Sequence, residues 1–217
     1  PVLRDVIAVS AGDKHSMALK SDGTVVAWGD NTVGQIVIPK GLSEVTAIAA
    51  GALHNLALKR DGTVVAWGED RFGKTAIPSG LKDVTAVSAG THHNLALKKD
   101  GTVIGWGEGG FGQAAAPTGL SGVVAIAAGG FHNLALRQDG TVVAWGESRA
   151  GQTVVPAGLA GVIAIAAGPV HSLALKSDGT VVAWGNDFYS QNTGGSGLRN
   201  VVATADGFTH SLALKAD

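Results

Sequence analysis

No cysteine occurs in the 217 residues, which excludes a disulfide framework, a thiolate nucleophile and a sulfur-rich zinc site. Charge is scarce as well. Only 15% of residues are Asp, Glu, Lys or Arg, and the formal net charge is −1. With no block of like charges, the electrostatic footprint of a protein that grips nucleic acid or an acidic membrane is missing. No apolar run approaches the roughly 20 residues of a membrane-spanning helix, and no signal peptide is visible. Methionine occurs once, at Met17, while the chain starts at Pro1, so the translated start is expected upstream.

Glycine, in contrast, is abundant at 33 residues. It supplies the positive φ angles that tight turns require, and it favours many short strands over helices. The tryptophans fall at Trp28, Trp67, Trp106, Trp145 and Trp184, and histidines at His15, His54, His93, His132, His171 and His210; both series step by 39. One unit runs from Val45 to Asp83. It contains an apolar strand A ("VTAIAAG"), a strand B ("HNLALK") and, after "RDG", a strand C ("TVVAW"). The Asp-Gly pair between B and C predicts a two-residue hairpin with positive φ at both positions.

Strands this short, without clear amphipathy, must be covered on both faces by neighbouring copies. The predicted fold is therefore an all-β β-propeller, a single domain over residues 1–217. Its repeats span 6–44, 45–83, 84–122, 123–161 and 162–200, with a partial sixth, 201–217, that has A and B strands only. The copies are expected to close into a wheel. The unpaired edge of the sixth blade invites an N-terminal strand outside this sequence or a partner chain, which makes a homo-oligomer one expectation.

Positions that differ between copies are free of the blade's demands. They collect in the A-to-B turns and in the loops after each Trp-Gly, which the meander places on one face. Phe72, Phe111, Phe188 and Tyr189 occupy the loops, and Phe131 and Phe208 the turns. Aromatic side chains on variable loops over a rigid scaffold make a candidate partner-binding surface; the alternative is that they plug gaps between blades. Arg71 and Arg149 stand in the same loops. Asp30, Glu69, Glu108 and Glu147 follow the repeated Trp-Gly, either as a ring that receives a partner's basic patch or as a solvated rim.

One carboxylate per blade is too dispersed for calcium. The six spaced histidines are likewise held apart by the ring, so they are expected to bond the turn after Ala-Gly rather than a metal. His92 alone lies off the comb. The slot after each histidine alternates between Ser and Asn, which argues against a nucleophile. No phosphate loop occurs. No enzyme, metal or cofactor is expected.

"WGDNTVGQIVIP", "VTAIAAG" and "HSLALKSDG" resemble the repeats of the regulator of chromosome condensation family, and within it the compact bacterial kind that includes β-lactamase inhibitors. The resemblance spans essentially the whole chain. It implies a non-enzymatic propeller that binds a protein with its loop face, with inhibition of a β-lactamase-type enzyme as the implied role. That inhibitor's ring has seven blades, and this chain has at most six. The family's contact residues lie at the free positions, so none transfers individually. Two alternatives stand beside this reading: a structural or assembly module joined through the incomplete blade, and a carbohydrate-binding propeller.

Overall fold

In the computed structural model, residues 3–188, 190, 192, 197–207 and 210–216 are described. The first blade holds β1 (Val6–Ala11), β2 (His15–Lys20) and β3 (Val25–Gly29); the second holds β4 (Val45–Ala50), β5 (His54–Lys59) and β6 (Val64–Gly68). The third holds β7 (Val84–Ala89), β8 (His93–Lys98) and β9 (Val103–Gly107), and the fourth β10 (Val123–Ala128), β11 (His132–Arg137) and β12 (Val142–Gly146). The fifth comprises β13 (Val162–Ala167), β14 (His171–Lys176) and β15 (Val181–Gly185), and the sixth only β16 (Val201–Asp206) and β17 (Ser211–Lys215). Every blade is an antiparallel meander in chain order. This is the propeller architecture, with five complete blades and a partial sixth.

The register gives each blade two distinct ends. In the second, Ala50 faces Asn55 and His54 faces Gly68 at one end, while Val45 faces Lys59 and Leu58 faces Val64 at the other. The Asp-Gly connection lies at this second end. It is not the two-residue turn expected: Gly62 is at φ 78 but Asp61 is not in the left-handed region. Gly62 N donates to Lys59 O and Lys59 N to Thr63 O, a turn followed by a single left-handed glycine. Asp61 keeps an ordinary φ because its carboxylate accepts from Thr63 N and Oγ1 at 3.0 and 2.6 Å.

The core lies between blades. Leu56, Leu58 and Ala49 of the second blade pack against Val84, Ala96 and Trp106 of the third, with Ile77 and Leu81 of the connecting segment filling in beside them. Alternate residues of the same central strand point back, as Ala57 does towards Met17 and Leu19 of the first blade. The second, third and fourth blades are each half of two cores.

A polar clamp accompanies this packing. His54 Nε2 donates to Asn94 Oδ1 of the next blade at 2.7 Å. Asn94 Nδ2 and Trp106 Nε1 then both donate to the Lys74 carbonyl of the preceding blade, each at 2.9 Å. The same carbonyl position, at Gln35, Gln113 and Gln152, takes the pairs Asn55 and Trp67, Asn133 and Trp145, and Ser172 and Trp184. The histidines therefore bond the neighbouring blade, not their own turn. Their rings instead cover the glycine of Ala-Gly, where a Cβ on Gly51 would collide with the His54 imidazole.

The wheel is not closed. Trp28 is 43% exposed where Trp67 is 7%, and Leu214 is 63% exposed where its counterpart Leu58 is 4%. Blades one and six thus leave their outer faces uncovered, and the chain forms an arc.

Burial holds the clamp histidines neutral: His54 and His93 are lowered to about 4 and His132 to about 3. Between the unfolded value near 6.5 and these folded values the unfolded chain binds the extra protons, so stability rises with pH there. The contribution is whole above 6.5 and is lost as pH falls towards 4. Urea midpoints measured from pH 7 to 4 are expected to fall continuously through this window; a flat profile would contradict the clamp.

Candidate partner-binding surface

The residue after each Trp-Gly is tied to the A-to-B turn of its own blade. Asp30, Glu69, Glu108, Glu147 and Asn186 donate their backbone N–H to the carbonyls of Lys14, Leu53, His92, Phe131 and Val170, each at 2.9 Å. Loops and turns therefore share one end of the blades. The Asp-Gly hairpins occupy the opposite end, where Gly23 O and Gly62 O accept from Val45 and Val84 at the start of the next blade.

On the loop face the aromatics of blades two to four meet. The Phe72 and His92 rings lie edge to face at 5.5 Å, His92 and Phe131 are tilted at 5.7 Å, and Phe131 meets Phe111 edge to face at 5.5 Å. Two slots generate these contacts. Phe72 and Phe111 each precede a loop glycine, and His92 and Phe131 each precede a clamp histidine. A loop ring of one blade thus touches a turn ring of the next. Both ends of the row carry guanidiniums: Arg71 lies over Phe72 at 4.8 Å and Arg149 over Phe111 at 5.3 Å. Phe188 is exposed on the fifth loop, with its N–H on Asn186 Oδ1 at 2.9 Å. Tyr189 and Phe208 lie outside the described residues.

His92 belongs to this row although its residue type pointed elsewhere. Its only signal was that it breaks the 39-residue comb. Burial pushes its pKa down, and Lys74 acts in the same direction, while Glu108 and Glu69 oppose.

The carboxylates turn inward. Asp30 accepts from Thr32 Oγ1 and Gln35 Nε2 at 2.6 and 2.7 Å, and the Thr32 bond is the leading reason its pKa is lowered. Glu69 accepts from Lys74 Nζ at 2.5 Å, which lowers its pKa too. Glu147 lies 3.7 Å from Arg149. Among the described residues, no group of three or more His, Asp or Glu is placed to hold a metal ion, and no helix is long and apolar enough to cross a membrane.

Lys74 is the exception that shapes the second loop. In the first, third and fourth loops the buried glutamine at this slot accepts a backbone N–H: Gln35 from Val33, Gln113 from Phe111 and Gln152 from Ala150, at 3.0, 2.8 and 2.9 Å. An ammonium has no lone pair to offer. The second loop instead forms a short 3-10 turn, Arg71–Gly73, with Phe72 at φ 67, a conformation that is strained for a bulky residue.

The comparisons with known proteins fall on the same slots. The chain belongs to the regulator of chromosome condensation (RCC1) repeat family, whose profile matches residues 6–35, 45–74, 84–113, 123–152 and 162–191. The first four matches each run from the start of an A strand to the clamp carbonyl. No curated protein sequence matches the chain.

Among solved structures it is similar to Prp20p of Saccharomyces cerevisiae, described with its binding to Gsp1p and histones. Identity there is 22%, over 97% of this chain and 70% of that one, with a TM-score of 0.79. It is also similar to the receptor kinase ectodomains CR4 of Physcomitrella patens, at 24% identity over 95% of this chain and 58% of that one with TM-score 0.79, and ACR4 of Arabidopsis thaliana, at 22% over 97% and 76% with TM-score 0.81. These likenesses show the fold.

Lys74→Gln is expected to return Phe72 to negative φ and stabilise the protein by about 1–2 kcal/mol, the cost of one left-handed non-glycine residue. A crystal structure and thermal unfolding of the variant check both. Loss of stability would instead mean that the Lys74–Glu69 pair outweighs the strain.

Proposed function

We propose that the protein is a non-enzymatic scaffold that docks on a protein partner through the row Arg71, Phe72, His92, Phe131, Phe111 and Arg149. The observation that carries this is the continuity of the rings across three blades, with Phe72 and Phe111 both left exposed. Rigid aromatics with guanidiniums held over them are the side chains that dominate interface energetics. Among the described residues of the propeller behind them, no group of three or more His, Asp or Glu is placed to hold a metal ion. Family membership supports a protein-interaction role, as does Prp20p, whose described properties are the binding of Gsp1p and histones. An inhibitor role follows if the partner is an enzyme whose active-site rim fits the row, with serine β-lactamases as the first class to assay. Glu69 serves this surface from behind by holding its loop, as Asp30 does in the first blade.

A second reading is favoured by the open arc. The exposed faces around Trp28 and Leu214 are copies of surfaces that pack together between consecutive blades elsewhere in the chain, so they fit another blade, of a second copy or of further chain. Sedimentation velocity across a concentration series reads that association directly.

The docking row is tested by Phe72→Ala/Phe111→Ala. Capture of the partner, identified by mass spectrometry from the native host, is expected to weaken by about 100-fold or more, given losses of about 2 kcal/mol at each interface anchor. Unfolding free energy is expected to change by less than about 2 kcal/mol, because both rings are only partly buried. Unchanged capture would reject this face.

A further inference from the structure

Resting on that reading of the row, we infer that the surface it takes is acidic: an apolar centre flanked by carboxylates. Around the row stand Arg71, Lys74 and Arg149 and the carboxylates Glu69, Glu108 and Glu147, with Asp70 beside Arg71 held by the Thr75 N–H at 2.8 Å, while burial pushes the His92 pKa down. By position the two signs are not equivalent. The Arg149 side chain is 80% exposed while that of Glu147 is 14% exposed. Arg71 is exposed as well. On the acidic side, Glu69 is bonded to a fully buried lysine, and Glu108 Oε2 is closed off from solvent. What an approaching molecule meets first is two guanidiniums and the exposed edges of Phe72 and Phe111.

Those guanidiniums are already oriented. Stacking over a ring removes much of the rotamer freedom an arginine otherwise loses on binding, and leaves its planar fork of donors open to a carboxylate. A carboxylate docking on Arg71 gains two directed hydrogen bonds, and on Arg149 it uses the donors that Glu147, 3.7 Å from one guanidinium nitrogen, leaves open. A partner's lysine or arginine faces the reverse situation: it meets like charge at both ends of the row. To reach a carboxylate it must pull Glu147 away from Arg149 or Glu69 away from Lys74. Asp30 and Glu69, two of the acidic residues that the sequence presents as a rim, are bonded inside the loops, whereas Arg71 and Arg149 face outward.

The test is panning of a random dodecapeptide phage library against four forms of the full chain: wild type, Arg71→Glu/Arg149→Glu, Arg71→Gln/Arg149→Gln and Phe72→Ala/Phe111→Ala. Both arginines are exposed, so their variants are expected to fold, and circular dichroism verifies this. Wild type is expected to enrich peptides with aromatic or aliphatic centres and Asp or Glu on both sides. Their synthetic versions should bind about tenfold more weakly to the Gln variant, equal to about 1.4 kcal/mol, and more weakly still as salt rises. The charge-reversed form should enrich basic peptides. Basic or neutral consensus peptides on wild type, affinity indifferent to the Gln exchange, or no enrichment at all would overturn the inference. Enrichment of the same peptides on wild type and on the phenylalanine variant would overturn the docking row itself, which is a separate outcome.

Discussion

In each of the first four blades one backbone carbonyl joins that blade to the next. At Gln35, Lys74, Gln113 and Gln152 it accepts from the slot residue and from the tryptophan of the following blade, while a histidine of its own blade bonds the same slot residue. Four buried polar groups that would each be costly if unpaired satisfy one another at a single seam. Because the seam joins different blades, it forms only when two copies stand at the correct angle and height. Apolar packing between blades supplies most of the driving force, and the clamp supplies the orientation.

That division explains where the molecule can vary. The slot tolerates Asn or Ser because either accepts from an imidazole and donates to a carbonyl, and both do so here, in Asn133 and Ser172. The clamp side chain tolerates Gln or Lys because only its backbone oxygen is used. Freedom at that side chain has consequences one step further out. Replacing the glutamine by Lys74 removes an acceptor, and Phe72 takes up the left-handed turn that results. Variation at a buried slot is thus expressed on the loop face, two residues away.

The fold was legible because repetition made it so. A 39-residue comb of Trp and His in short apolar strands admits few architectures, and the blades, strand order and missing strand of the sixth blade follow from counting. Their mutual closure did not follow, since curvature depends on blade-to-blade angle, and no residue pattern shows how many blades complete a turn. The turn type at Asp61-Gly62 also escaped, because the Asp carboxylate reaches forward to Thr63 and keeps its own φ ordinary. At the surface, Phe72, Phe111, Phe131, Arg71 and Arg149 were readable as residues free of the repeat. Their contacts were not, because each ring pair joins two blades and is set by the packing angle between them. His92 was hidden by its neighbour His93, whose place in the comb accounts for one histidine and draws notice from the other.

The carboxylates show why exposure in sequence and exposure in space diverge. Asp30, Glu69, Glu108 and Glu147 stand at variable, hydrophilic positions after a turn glycine, and a charge in such a place ordinarily faces solvent. Each loop, however, closes over a polar side chain from the clamp slot, a glutamine or a lysine, that needs a partner inside the loop. In the first two blades the nearest acceptor is this carboxylate, bonded to Gln35 Nε2 and Lys74 Nζ. In those two blades the acid belongs to the seam that holds the blades, and in the second the loop's outward character passes to the residues after it, Arg71 and Phe72. A surface made this way inherits the rigidity of the seam beneath it, which is what an interface of stacked rings requires if its binding is not to be lost to ordering cost.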